Sequence, residues 1–471
     1  MSQLPAVLRR DSAETPHPIR RAHFVGIAGA GMRSLAEVLH AAGWSISGSD
    51  PRADALARRP FRVATAHDPQ QINTALDLVV HSVAVPADNP ELARARELGL
   101  DVVSYPQLLG QLLPKRHGAA VAGTHGKSTT TALAGEILTA AGLDPTVVFG
   151  ASAHERASAS RLGRGHWLLA EACEYRANFL ELRPRVAALL GIEHDHVDCY
   201  ATPADVEAAF ARFANQVPAD GVVLARADCA ATRRVVAGLE AAVETFGLST
   251  DAMWRATALR ERRGYYSFEL RHRRRLVCEV KLSLPGIHNV QNALAAAALA
   301  SHCGAGGSAI RAGLARFAGL HRRLDRIADG SVAVIDDYAH HPTAVAAALS
   351  TVRQIQPDRR LVCVFEPHQG SRTTTLLDGF AKALHNADKL IVTDVYRARE
   401  TGRAAGDEAQ KLVERMVAHG TDARYLPLSA IKEELLTGLR AGDVIVTLGA
   451  GDIGALAHDL GQRFRVVRQA G

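Results

Sequence analysis

Three α/β domains in series are what this 471-residue sequence predicts. Three observations carry that reading. Apolar strand patterns alternate with helix-period patterns in three separate stretches, the chain is longer than one hydrophobic core organises, and glycine-rich turns join strand to helix where open parallel sheets bind their ligands.

The first stretch opens on Phe24-Val25-Gly26-Ile27, turns through Gly29-Ala30-Gly31-Met32, and enters a helix pattern through Leu35, Val38 and Leu39 that stops at Gly43. A second strand at 44–47 ends near Asp50, which completes a βαβ unit. The spacing Gly29-x-Gly31-x-x-Ser34 approximates the dinucleotide fingerprint, with serine at its third glycine. It predicts a helix N-terminus open to a pyrophosphate rather than any particular nucleotide. The domain is expected over 21–108, behind a loose, charged tail at 1–20.

The second stretch begins with an apolar strand at 119–122 that runs into Gly123-Thr124-His125-Gly126-Lys127-Ser128-Thr129-Thr130, followed by a helix pattern that stops at Gly142. Gly123 and Gly126 allow successive N–H groups to point into one concavity at the positive end of the helix, and Lys127 adds a full charge. Ser128 or Thr129 supplies a hydroxyl suited to magnesium. The common phosphate loop has glycine five positions before Gly126, where this chain has Val121. Further strands are expected at 167–170, 186–192 and 222–224. The first runs into Glu171, Cys173 and Glu174, the second into Glu193, Asp195, His196 and Asp198. Strand ends beside a phosphate loop share one crevice, so Glu171 and His196 are candidate metal ligands; histidine is unusual for magnesium, which leaves two alternatives, manganese in its place or His196 acting through a bound water. Before an alanine-rich helix, Asn289 and Asn292 read either as an N-cap pair or, for Asn289, as a contact to an adenine edge. This domain is expected over 109–320.

From 321 to 471 strands at 332–335, 361–365, 390–392 and 444–446 predict a third open sheet. The first runs into Asp336-Asp337-Tyr338-Ala339-His340-His341, with Pro342 in the first turn of the helix that follows, and the second into Glu366-Pro367-His368-Gln369-Gly370-Ser371-Arg372-Thr373. Both loops are expected to form a small-substrate site facing the nucleotide.

A net charge of +6 from 55 basic and 49 acidic residues is a small excess and does not argue for nucleic acid. The six cysteines form no C-x-x-C pair, so they indicate neither a zinc site nor a disulfide framework, and a reducing compartment fits best. The first twenty residues hold no apolar run of signal-peptide or membrane-span length, so a cytoplasmic location is expected.

Taken jointly, HFVGIAGAGM, GTHGKSTTTAL, AEACEYRANFLELRP, GIEHDHVDCY, PGIHNVQNALAA, HRRLDRI, DDYAHHPT, EPHQGSRT and LGAGDI, in that order, resemble the Mur ligases over about residues 21 to 460. The resemblance implies a Rossmann-like uridine-nucleotide domain, a central P-loop ATPase domain and a Rossmann-like amino-acid domain. It further implies ATP-driven ligation of L-alanine to the lactyl carboxylate of UDP-N-acetylmuramate through an acyl phosphate, with Mg2+ or Mn2+ on the ATP. By that likeness Gly123, Thr124, His125, Gly126, Lys127, Ser128, Thr129, His288, Asn289, Arg323 and Asp337 hold ATP, and Ser128, Thr129, Glu171 and His196 hold the metal. Gly29, Ala30, Gly31, Met32, His67 and Ser82 cradle the uridine nucleotide, while Glu174, Tyr338, His340, Gln369 and Arg372 face the remaining substrates. Lys127, Glu171, His196, His340 and Arg372 carry the catalysis. The partners implied are the two small substrates, with no membrane insertion, acting as a monomer or homodimer.

One departure bears on the substrate. Where the family has two arginines that clamp the amino-acid carboxylate, the first is Gln369, and a neutral bond in place of an ionic one costs about 1–2 kcal/mol, or roughly 5- to 30-fold in affinity. The alternatives are a murein tripeptide-recycling ligase and a catalytically degenerate nucleotide-binding sensor of wall precursors. The recycling enzyme generally has an insertion after the E-Y-D stretch, and here Glu174-Tyr175-Arg176 passes directly to Leu180.

Overall fold

A computed structural model describes residues 20–56, 59–115, 117–151, 160–398, 400 and 406–464; the tail expected at 1–20 lies, apart from its last residue, outside them. Among the described residues three sheets follow one another along the chain. The first holds β1 (Arg21–Val25), β2 (Ser45–Ser49), β3 (Arg62–Ala64), β4 (Leu78–His81) and β5 (Val102–Ser104) in the order β3-β2-β1-β4-β5, all parallel. Its strand order reverses between β1 and β4, so the crevice at their carboxyl ends falls on Gly29 and Ser82.

The second sheet holds β6 (His117–Ala122), β7 (Thr146–Val148), β8 (Trp167–Glu171), β9 (Val186–Leu189), β10 (Val222–Arg226), β11 (Ala242–Gly247), β12 (Trp254–Arg262), β13 (Tyr265–His272) and β14 (Arg275–Pro285). Its order is β14-β13-β12-β11-β10-β9-β6-β8-β7. β6 lies between β8 and β9 in parallel, which brings Glu171 and the residues after Leu189 to the two sides of the phosphate loop. The antiparallel meander β12-β13-β14 has no counterpart in the sequence reading. Its strands are arginine-rich and half exposed, yet Tyr266, Phe268 and Leu270 and then Val280, Leu282 and Leu284 alternate with polar residues and face the core, a period-2 signal present in the sequence that the domain-level reading passes over. The helix Lys127–Ala140 is buried on nearly every face, between the sheet and the helices Ile287–His302 and Gly307–Arg316. Gly313 permits that approach, since a Cβ there would lie 2.6 Å from the Ile137 Cα.

The third sheet holds β15 (Asp325–Asp329), β16 (Ala333–Asp337), β17 (Leu361–Phe365), β18 (Lys389–Val392), β19 (Ala423–Tyr425) and β20 (Val444–Leu448) in the order β15-β16-β20-β17-β18-β19. Only β15 is antiparallel to its neighbour. Two local expectations are corrected. Asp336 and Asp337 belong to β16 instead of following it, because their carboxylates are satisfied by inward partners: Thr447 and Arg322 for Asp336, and the Leu324 and Ala339 N–H groups for Asp337. Asn289 and Asn292 are not an N-cap pair: the helix already begins at Ile287 after Gly286, and both amides are turned inside. Asn289 Nδ2 donates to the Pro285 carbonyl (2.7 Å) and Asn292 Nδ2 to Asn289 Oδ1 (3.0 Å), which replaces the solvent that makes interior asparagine unfavourable.

The apolar cores differ in how they join. One continuous cluster runs from Phe24 and Leu35 of the first domain through Leu108, Leu109, Leu112 and Leu113 to Leu168, Phe179 and Phe210 of the second. The clusters of the third domain, around Phe365 and Phe380 and around Val364 and Ile445, stay separate from it.

Candidate active site

The phosphate loop leaves β6 at Gly123 (φ +142°) and enters its helix at Gly126 (φ +82°), conformations that L side chains rarely adopt. Crowding adds to the constraint. A Cβ on Gly123 would sit 2.7 Å from the Leu190 Cβ, and one on Gly126 would sit 2.4 Å from Asn292 Oδ1, so the buried asparagine braces the loop. Thr124 ties the loop to the end of β9, its Oγ1 accepting from the Glu193 N–H at 2.9 Å.

Lys127 folds back across this loop. Its Nζ donates to the Gly123 and Thr124 carbonyls (2.6 and 3.2 Å) and to Glu174 Oε1 (2.9 Å). Burial works against charge on both partners, yet the Glu174 carboxylate holds the Lys127 pKa up and Lys127 and His196 hold Glu174 below its ordinary value. The pair is therefore ionised. Glu174 is only 2% exposed; Tyr200 fixes its carbonyl through a 2.6 Å bond, and His196 Nε2 lies 3.5 Å from its Oε1. Its immediate neighbours are thus Lys127 and His196. His196 itself, Arg176 and Ala177 all have positive φ (+53°, +51° and +55°), each a strained conformation that costs about 1–3 kcal/mol.

On the other side of Lys127, Ser128 Oγ donates to Glu171 Oε2 at 2.9 Å, and the Gly150 N–H donates to the same oxygen at 3.1 Å. Of the two hydroxyls the sequence offered, Ser128 is the one that meets Glu171. A hydroxyl and a carboxylate beside a helix N-terminus are hard oxygen donors, the set that fits magnesium on a phosphate chain. Ala30 lies against Gly150, so the glycine turn of the first domain faces the Glu171 side of the second. In that first domain His67 Nδ1 is 2.8 Å from Ser49 Oγ and 3.2 Å from Glu91 Oε2, and Glu91, fully buried, also lies 3.5 Å from His23 Nε2.

The third domain closes onto the loop through polar contacts. Arg372, 1% exposed, donates from Nε to Asp195 Oδ1 (2.8 Å), with Nη2 2.7 Å from the same oxygen. Burial opposes charge on Asp195, but the guanidinium overrides it and holds the carboxyl well below the usual carboxylate range. Arg372 Nη1 also lies 2.6 Å from His368 Nδ1, and the His368 ring sits 5.1 Å from that of His340. His340 Nδ1 faces the Tyr338 carbonyl at 2.8 Å; burial, followed by the Arg372 and His368 charges, pushes its pKa well down. The guanidinium groups of Arg322 and Arg323 each lie over the Tyr338 ring, 5.1 Å from its centroid. Gln369 has φ +67° at the start of the helix Gly370–Thr375, whose first N–H groups are capped by Glu400.

Comparison with known proteins places this geometry in a lineage. A UDP-N-acetylmuramate--L-alanine ligase of Halorhodospira halophila is 40% identical over 468 residues, covering 96% of this chain and 95% of its own length. Family models match in the order of the three sheets: Mur ligase family, catalytic domain, over 21–117; Mur ligase middle domain over 121–300; and Mur ligase, glutamate ligase domain, over 322–451. The chain belongs to the Mur ligase family. A ligase of the same description from Salinibacter ruber is 39% identical, covering 92% of this chain and 93% of its own. Among solved structures, a UDP-N-acetylmuramate-alanine ligase of Thermotoga maritima superposes with a TM-score of 0.80 at 27% identity, covering 94% of this chain and 99% of that one. A murein peptide ligase of Psychrobacter arcticus gives 0.71 at 26% identity, covering 94% and 98%.

In this Mur ligase the structure gathers Lys127, Ser128, Glu171, Glu174 and His196 at one loop, and Tyr338, His340, His368 and Arg372 at the facing strand ends. Asn289 stays with its own helix, and Asp337 spends both oxygens on backbone N–H groups, while burial raises its pKa to about 6. Gly29, Ala30, Gly31 and Met32 form the start of the first-domain helix. The sequence reading does not single out Asp195, His368 or Glu91, which the structure places against the predicted site residues Arg372 and His67. For Asp195 a signal existed, its place in the cluster after β9. For Glu91 the Asn-Pro-Glu start of the helix Pro90–Glu97 reads as an ordinary cap, and nothing local shows that its carboxylate points inward.

Proposed function

We propose that this chain joins L-alanine to the lactyl carboxylate of UDP-N-acetylmuramate with ATP, through an acyl phosphate. The observation that carries the reading is the meeting of two half-sites: a phosphate loop with Lys127 and the Ser128–Glu171 pair, and a third-domain pocket docked on it by Arg372 and Asp195. The relatives at about 40% identity along nearly their whole length support it.

In this reading 21–108 takes the sugar nucleotide, 109–320 the ATP and 321–471 the amino acid. Lys127 is already ionised and leans on the loop carbonyls, so it shifts toward an arriving phosphoryl group while keeping Glu174 as counter-charge. Ser128 and Glu171, with His196 nearby, would hold magnesium or manganese, which would supply positive charge against the phosphates when bound. Phosphorylation converts a poor leaving oxide into a good one, after which the alanine amine attacks the carbonyl carbon and the C–O bond to the phosphoryl group breaks, releasing inorganic phosphate. His340, with Nδ1–H donated to the Tyr338 carbonyl and its ring held neutral, keeps Nε2 as acceptor for the amine proton. The N–H that Arg372 has left on Nη2 meets the amino-acid carboxylate, Nη1 being taken by the His368 ring and carbonyl, and Gln369 supplies a neutral partner where the family has a second arginine. No helix among the described residues is long and apolar enough to cross a membrane.

The test is phosphate release from ATP in the presence of UDP-N-acetylmuramate, compared for L-alanine, glycine, L-serine and the murein tripeptide. Release that needs the sugar nucleotide and is fastest with L-alanine is the expected outcome. Preference for the tripeptide would replace this reading with the recycling one.

A further inference from the structure

Three side chains that no step above uses as a set converge where the third domain meets the phosphate loop. His125 lies on the loop itself, Glu193 follows β9, and His341 caps the third-domain helix Pro342–Ile355. His125 Nε2 is 3.5 Å and His341 Nδ1 3.6 Å from Glu193 Oε2, one ligand atom from each residue lies within 4.8 Å of the others, and the two rings are 4.7 Å apart. Donors around a single ion with bonds of about 2.0–2.2 Å lie roughly 3.0–3.5 Å apart, so a small contraction completes the set.

The protonation states favour an ion over a shared proton. Burial, then the neighbouring His125, lowers the His341 pKa to about 4, and the histidines together with Thr343 hold Glu193 at about 2 against its burial. At neutral pH a carboxylate therefore faces a neutral imidazole. His125 Nε2 is buried and has no hydrogen-bond partner among the described residues. His341 Nδ1 is engaged only by a long 3.4 Å bond from the Thr343 N–H. Thr343 Oγ1 occupies one lone pair of Glu193 Oε2 at 2.5 Å and leaves the rest of the carboxylate to a cation.

We propose that His125, Glu193 and His341 bind a late first-row divalent transition metal of the zinc class, at a site that shares no ligand with the Ser128–Glu171 pair. Two imidazoles and one carboxylate are the ligand types such ions take. Because two ligands come from the second domain and one from the third, the ion fastens the domains together across the phosphate loop. The site goes beyond the ligase reading and does not depend on it.

Co2+ is the probe, titrated into the full-length, metal-stripped protein without nucleotide and followed by visible absorption and calorimetry. The expected result is one tight equivalent. His341→Asn, which keeps a good helix cap, and Glu193→Gln each weaken it at least tenfold, whereas Glu171→Gln leaves it unchanged. Small-angle scattering should show the wild type, but not His341→Asn, becoming more compact on Co2+ addition. Absence of a tight equivalent, or binding that both His341→Asn and Glu193→Gln leave intact, would overturn the proposal. Since no substrate is present, neither result bears on the ligase activity.

Discussion

The two seams of this molecule are built from opposite materials. Between the first and second domains the apolar core is continuous: Leu108, Leu109, Leu112 and Leu113 carry it across, and Ser34 Oγ adds a buried bond to the Phe149 carbonyl at 2.6 Å. Between the second and third the contacts around the phosphate loop are ionic and polar: Asp195 with Arg372, Glu193 with Thr343, and His125 against His341. An apolar seam loses free energy with every exposed square ångström and has no second state, whereas a polar seam can exchange its partners for water or ligand. The first two domains should therefore move as one body, and the third should open and close. The connection at 321–324 suits a hinge, with Arg322 and Leu324 both at positive φ (+58° and +49°).

The contrast is most severely tested at the polar seam. Asp195→Asn leaves Arg372 buried without its counter-charge, and such a loss costs about 3–5 kcal/mol when the site stays closed. The seam can escape that cost by opening. The expected result is a larger radius of gyration by small-angle scattering and at least a hundredfold loss of ligation, with the melting of the first two domains unchanged. A variant that stays compact and active would mean the ion pair does not hold the seam.

At the apolar seam the opposite is expected. Leu109→Ala removes a side chain that is 1% exposed and should cost about 2–5 kcal/mol, lowering one melting transition shared by the first two domains. Separate transitions for those domains would show that their core is not continuous in solution.

Acid should distinguish the seams without mutation. His341 sits at about 4 when folded against about 6.5 unfolded, so the unfolded or opened chain binds the extra proton between those values. The stability it contributes is full above pH 6.5 and is lost as pH falls toward 4, by about 3 kcal/mol in all. Glu193, at about 2, and Asp195, also depressed, contribute stability present above the unfolded carboxylate value and lost only at still lower pH. The third domain should thus dissociate between pH 6.5 and 4, as followed by scattering, while the first two stay joined. Simultaneous loss of both seams would refute the difference.

These contrasts also explain what the sequence made legible. Strand, glycine turn and helix are local patterns, so the phosphate loop and its partner Ser128 could be read directly, as could the strand ends that carry Glu171 and Arg372. Pairings across domains are not local. Asp195 and Arg372 are 177 positions apart, and only the closed arrangement makes them partners. Asn292 was misread for a related reason: an asparagine in a helix's first turns normally faces water, and its role of bracing Gly126 exists only because two helices cross there.

The smallest expected effect lies away from both seams and tests whether the first domain is a passive platform. Glu91 is fully buried, accepts from Ser49 Oγ (2.5 Å) and the Asp68 N–H (3.2 Å), and sits between His23 and His67. Burial opposes its charge, but His23 and Ser49 hold its pKa below the ordinary value, so it is a carboxylate that receives Nδ1–H from His67. His67 Nε2 is then an acceptor, able to take a hydrogen bond from a ribose hydroxyl or a uracil imide. Glu91→Gln keeps the volume but sets an amide N–H against those donors and frees the His67 tautomer. The Michaelis constant for the sugar nucleotide should rise about 5- to 10-fold, the equivalent of one hydrogen bond, with turnover unchanged. Nitrogen NMR of His67 should show the proton moving from Nδ1. A lower melting temperature with an unaltered Michaelis constant would instead make Glu91 a buried acid that supports the fold and leaves the nucleotide to other residues.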